Sequence, residues 1–140
     1  MFPVRLVLDT NVIISAAPKG DGLQRTVLVV ALTKPARLYV SNAILAEYRE
    51  VLARKEFKIR RGDRLQLLQL IKNKSHLVTP THKIQAASDP DDNMFLECAD
   101  TARADYLITG NLRHFPKFWK QTKVITARDF ITVVTPHLTL

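Results

Sequence analysis

Apolar residues in this chain come in short runs that stop abruptly at polar ones. Val4 to Leu8 is such a run, closed by Asp9; Leu38 to Val40, Tyr106 to Ile108 and Val124 to Ile125 repeat the pattern. Short continuous apolar runs bounded by turn signals predict buried strands. Four strands are expected here, with His76 to Val78 a weaker fifth. Between them the period changes. After Ser41, a good N-cap, Ile44, Leu45, Tyr48, Val51 and Leu52 make one stripe at helical spacing. A second helix is expected to open at Asp63, after Gly62, with Leu65, Leu68 and Ile71 inward. A third opens at Asp89-Pro90 and carries Met94, Phe95, Cys98, Ala99 and Ala102, with proline favoured at the first helical position. Leu23 to Leu32 and Ala127 to Val134 are weaker helical segments.

Strands alternating with helices predict an α/β sandwich around a mainly parallel sheet. In such sheets ligands sit beyond the carboxyl ends of the strands, where the strand order reverses. Chemistry is therefore expected on side chains just after strands or at the start of the next helix.

Composition changes this picture little. A chain of 140 residues, 46% hydrophobic and 24% charged and without repeats, is expected to fold as a single domain over residues 1–140. Its one cysteine, Cys98, has no partner for an intramolecular disulfide, and the apolar neighbours point to a packed thiol. A reducing, cytoplasmic setting fits. The run VRLVLDTNVIISAA is broken by Asp9 and Asn11 and is too short for a bilayer span, so no membrane association is expected.

Charge adds more. Lysines and arginines outnumber acids by 21 to 13, a net charge of +8 that favours polyanionic partners. Between Arg49 and Arg64 seven basic residues stand against three acidic ones. Arg54, Lys55, Lys58, Arg60 and Arg61 could together contact phosphates if they share a face. A solvated helix flank explains them equally well.

Against that basic background the stretch SDPDDNMF, Ser88 to Phe95, places three aspartates in four positions. Two unit charges about 4 Å apart repel by roughly 4 kcal/mol at an effective dielectric near 20, so the cluster needs a helix dipole, water or a cation. Capping accounts for much of it. Asp89 can cap, and Asp91 and Asp92 lie in a first helical turn, where each carboxylate gains about 0.3–1 kcal/mol from the dipole. Asp9 could likewise cap the segment after the first strand, and Glu47 could be a solvated helix flank. What capping leaves unexplained is the placing of Asp9 and Glu47, from distant segments, near the sheet end where the topology predicts a site. Three converging carboxylates suit a hard divalent cation, magnesium or manganese, which prefers oxygen ligands. Such an ion can polarise a phosphate and lower the pKa of a bound water.

LDTNV at the first strand, a glutamate in the helix after the second, DPDDNMFLECA opening a later helix and ADYLITGN at the next strand resemble the PIN domain family, and within it toxin components related to VapC. The resemblance runs from about Val4 to Phe130. It implies a three-layer, Rossmann-like fold with four or five parallel strands, and a ribonuclease dependent on magnesium or manganese. By position, Asp9, Glu47 and Asp92 match the acids that hold the metal and carry catalysis. Asp89 and Asp91 are then supporting acids or caps, and Asn11 would orient the first carboxylate or a bound water. PIN domains often carry a fourth acid after the later strand, where this chain has Thr109-Gly110-Asn111, so Asn111 should weaken a second metal position or restrict the site to one ion. The resemblance also implies an RNA substrate, a small antitoxin partner and a homodimer.

Two other functions remain open on the residues. A small-molecule phosphohydrolase of the haloacid dehalogenase kind also has an aspartate after its first strand, but needs a second aspartate where Asn11 stands. A non-catalytic RNA-binding or antitoxin-binding module would keep the acids as caps. His114, in NLRHFPKFW, could meet RNA or be a packed surface group. Phe115, Phe118 and Trp119, with Lys117 and Lys120, could form a stacking ledge or anchor a loop.

Overall fold

A computed structural model describes residues 3–17 and 22–137. The apolar runs become strands β1 (Arg5–Leu8), β2 (Arg37–Val40), β3 (His76–Leu77), β4 (Tyr106–Ile108) and β6 (Thr122–Ile125), with β5 (Phe118–Trp119) preceding the last. The helices are α1 (Thr10–Ala16), α2 (Leu23–Ala31), α3 (Asn42–Leu52), α4 (Arg61–Lys74), α5 (Asn93–Ala102) and α6 (Ala127–Val134). A 3-10 turn over Pro90–Asp92 leads directly into α5.

The strands form one six-stranded sheet in the order β3-β2-β1-β4-β6-β5. Every pairing is parallel except that of β5 with β6. Leu6, Val7 and Leu8 are all fully buried. Because successive strand residues point to opposite faces, both faces of β1 must be covered. That is the helix, sheet, helix layering the alternation predicted, and α5 packs against β1, β2 and β4. From β1 the chain moves to β2 on one side and returns to β4 on the other, so the order reverses between β1 and β4. Leu8 pairs with Ile108, and the Asp9 N–H donates to the Ile108 carbonyl at 2.9 Å. Asp9 and Thr109 therefore emerge side by side at the reversal.

Two expectations need correcting. The second helix starts at Arg61 rather than Asp63, and Leu65 is 50% exposed. The stripe that reaches the core runs through Leu67, Leu68 and Ile71, at i, i+1 and i+4, and leaves Leu65 on its flank. The sheet has five parallel strands, as the resemblance allowed, and gains β5 as an antiparallel edge. The thiol of Cys98 is buried, and burial pushes it up to about 12, so it packs rather than reacts. No described helix is long and apolar enough to cross a membrane.

Candidate active site

Asp9 occupies the N-cap position of α1 but makes no capping bond. Its carboxylate, 5% exposed, turns to the β4 end. Oδ2 accepts from the Thr109 hydroxyl at 2.7 Å and from the Asn11 amide at 3.1 Å. Asn11 uses its other atom as well, since Oδ1 accepts from the Gly110 N–H at 3.0 Å. The amide thus bridges the ends of β1 and β4, the orienting role expected of it.

Glu47 comes from the middle of α3. Ser41 caps that helix by accepting from the Ile44 N–H at 3.2 Å, and the next residue after Glu47, Tyr48, donates its hydroxyl to the Leu8 carbonyl. This buried bond ties α3 to the residue just before Asp9. Glu47 Oε2 then accepts from Thr10 Oγ1 at 3.1 Å.

Asp92 stands at the start of α5, and it too makes no capping bond. The capping in this stretch falls to Asp89, whose Oδ1 accepts from the Asp91 N–H at 3.0 Å. Asp92 Oδ2 instead meets His114 Nδ1 at 3.1 Å. The contact is braced alongside, because the Ser88 N–H donates to the His114 carbonyl at 2.9 Å.

The electrostatics link the three acids. Burial raises the Asp9 carboxyl above its usual range, opposed by the Thr109 bond and reinforced by the Asp92 charge. Burial likewise raises Glu47, opposed by Thr10 and reinforced by Asp9 and then Glu50. Asp92 is raised by burial too, with His114 opposing and Asp89 and Glu47 reinforcing. Each of the three thus feels another: Asp9 feels Asp92, Glu47 feels Asp9, and Asp92 feels Glu47. Each also spends one oxygen on a neighbouring Thr, Asn or His. Among the described residues no three His, Cys, Asp or Glu side chains form a closed cluster able to hold a metal ion. The three acids face a common space without closing on it.

The supporting positions separate. Asp91 is exposed and lines a cavity of about 550 Å³ with Lys83, Asn93 and Glu97. Asn111 lines a different one, of about 400 Å³, with Asn11 and Thr109. Its backbone N–H donates to Thr109 Oγ1 at 2.9 Å. Of the basic residues, Arg54 is paired with Glu50 at 3.0 Å and its charge registers on Glu47. Lys55, Lys58, Arg60 and Arg61 lie exposed along the connection from α3 to α4. Phe115 is buried, whereas Phe118 is 58% exposed on β5.

Sequence reasoning passed over Thr10 and Thr109 and left His114 undecided. Thr109 had a signal, since it directly follows a strand at the predicted end of the sheet. Thr10 is next to Asp9 and had none beyond that.

A parallel α/β domain with acids at the strand ends, where the chain order reverses, is built to handle a ligand in that crevice. The PIN domain family model matches residues 5–113, which include β1 to β4 and all three acids, and the chain belongs to that family. An uncharacterized protein of Methanocaldococcus jannaschii, MJ1680, is 27% identical over 140 residues, covering 91% of this chain and 90% of that protein. In three dimensions the chain is similar to the crystal structure of VapBC2 from Rickettsia felis bound to a DNA fragment from their promoter. The TM-score is 0.59 at 15% identity, over 87% of this chain and 98% of the matched one. That likeness concerns the fold.

Proposed function

We propose that this PIN domain is an endoribonuclease dependent on magnesium or manganese, with Asp9, Glu47 and Asp92 as its catalytic, metal-binding acids. The observation that carries the reading is the mutual raising of three carboxylates from three distant segments. Two of the three stand at helix N-cap positions and neither caps. Capping, the plainest alternative use for them, is therefore not what their carboxylates do.

The donor set fits a hard divalent cation. All three groups are carboxylates, and their shared repulsion is what a cation would relieve. Magnesium keeps several waters and takes only one or two carboxylates directly, so an open arrangement suits it better than a closed cage. When bound, the ion would supply charge stabilisation to the phosphate and a more acidic water. The chain's own part is to hold the acids: Thr109 and Asn11 fix Asp9, Thr10 fixes Glu47, and His114 fixes Asp92. Asn111 adds no charge at the fourth position, which supports a one-ion site. Asp91 faces another cavity and is not placed to compensate.

A phosphohydrolase of the haloacid dehalogenase kind is disfavoured, because both ends of the Asn11 amide are already spent on Asp9 and Gly110. The fold likeness to VapBC2 supports a toxin role with a small antitoxin as partner. The groove between α2 and α4, with Val29 and Leu70 exposed, is the apolar surface that this reading gives to such a partner.

The test is incubation of the purified protein with labelled RNA in manganese, magnesium or chelator. Cleavage that requires the ion and disappears in Asp92→Asn is expected. RNA retained but uncut by the wild type in every ion would instead identify a binding module.

A further inference from the structure

The acids share a wall with a cavity of different character. Asn11 and Thr109, which hold Asp9 from one side, line on the other a space of about 400 Å³. Ser15, Leu23, Gln24, Asn111 and Arg128 complete much of it, and its lining contains no Asp or Glu. In a chain that gathers carboxylates at the strand ends, an acid-free space directly beside them is where a second negative group can be received.

The lining chemistry narrows the occupant. Amide side chains of Asn11, Gln24 and Asn111 offer donors and acceptors together, as the edge of a nucleobase requires. Val12 and Leu23 add apolar surface for the face of a base. Arg128, exposed at the start of α6, brings a positive charge suited to a phosphate. The space suits one nucleotide and is too small for a duplex, and amides can read a base edge only when that edge is unpaired.

Resting on the reading that the acids cut RNA, we propose that this cavity receives the single unpaired nucleotide flanking the bond that is cut, with Arg128 on its phosphate and Gln24 on its base. The substrate class is then single-stranded RNA, and Gln24 is a specificity residue.

Binding is measured by fluorescence anisotropy in the Asp92→Asn full-length protein with magnesium, using labelled seven-nucleotide RNAs of one base each and an RNA hairpin stem. Tighter binding of single strands than of the stem is expected. Adding Arg128→Ala should weaken all the single strands alike, by about fivefold, and lower the slope of log affinity against log salt by about 1. Adding Gln24→Ala should level the differences among the four bases and leave the salt slope unchanged. Ser15→Trp, at an exposed cavity residue, should block binding while thermal melting confirms the fold. If wild-type protein cuts RNA and all three additions bind as their parent does, or the parent binds no single strand, the subsite is wrong while the nuclease stands. If the wild type cuts no RNA, the nuclease reading fails and the subsite with it.

Discussion

Thr109 Oγ1 stands between Asp9 and Asn111, donating to the carboxylate at 2.7 Å and accepting from the Asn111 N–H at 2.9 Å. One hydroxyl thus joins the end of β1, the end of β4 and the loop that carries the fourth position. It is fully buried, so water cannot replace it. A hydroxyl that both receives and gives a bond is also fixed in direction, which leaves Asp9 little freedom to turn.

Replacing it tests this directly. Thr109→Val keeps the shape and removes both bonds, and is expected to cost about 1–3 kcal/mol in denaturant unfolding. Calorimetric manganese affinity should fall as well, and Thr109→Ser should restore much of both. A valine variant as stable as wild type, with unchanged manganese affinity, would show that Asp9 is held by other means.

Tyr48 bears on a second acid. Its hydroxyl reaches the Leu8 carbonyl from the residue beside Glu47, and the whole side chain is buried. Tyr48→Phe leaves that carbonyl unpaired, so a loss of about 1–3 kcal/mol is expected. Because the bond sets the height of α3 against β1, manganese affinity should drop by more than a simple stability loss explains. Measuring affinity well below the melting temperature separates the two effects.

Much of the fold was legible because its causes are local. Val4 to Leu8, Leu38 to Val40 and Tyr106 to Ile108 became strands within a residue of their apolar limits, and Ser41 capped as its side chain predicts. β5 was not legible. It is two residues long, pairs with β6 across a turn at Lys120 with φ 53°, and is too short to show alternation. Leu65 misled because α4 carries leucines on several faces and only packing selects the inner one. At the site, Asp9, Glu47 and Asp92 could be named from the chain, but the partner of each could not. Whether an aspartate at an N-cap position caps or turns elsewhere depends on a hydroxyl 100 residues away or a histidine 22 residues away.

His114 supplies the third partner. Its imidazole lies 3.1 Å from Asp92 and its carbonyl receives the Ser88 N–H, so ring and backbone both brace the turn that bears the acids. Residues that orient a metal-binding group commonly change metal affinity by about 10- to 100-fold when removed. His114→Ala is expected to weaken manganese binding within that range, read by calorimetry, with melting little changed because the side chain is 44% exposed. His114→Gln, which can still hydrogen-bond, should recover part of it. Equal affinity in wild type and the alanine variant would leave Asp92 without need of its neighbour.

The pH dependence follows from the direction of the three shifts. Asp9, Glu47 and Asp92 all have carboxyls raised by folding, so the native state holds their protons more tightly than the unfolded chain does. Stability from this source is present below the unfolded carboxylate range and is lost as pH rises through the raised native values. The rest of the chain, with its net charge of +8, has a slope of its own. The informative quantity is therefore the gap between wild type and Asp9→Asn. Without divalent ions the variant should be the more stable at neutral pH, since it never carries the buried charge. The gap should close as the pH falls towards about 4, where Asp9 itself is neutral. Adding manganese at neutral pH should reverse the order, because an ion that binds only the native wild type stabilises it by mass action. A gap that ignores both pH and manganese would mean that Asp9 carries no strained charge and that no ion relieves it.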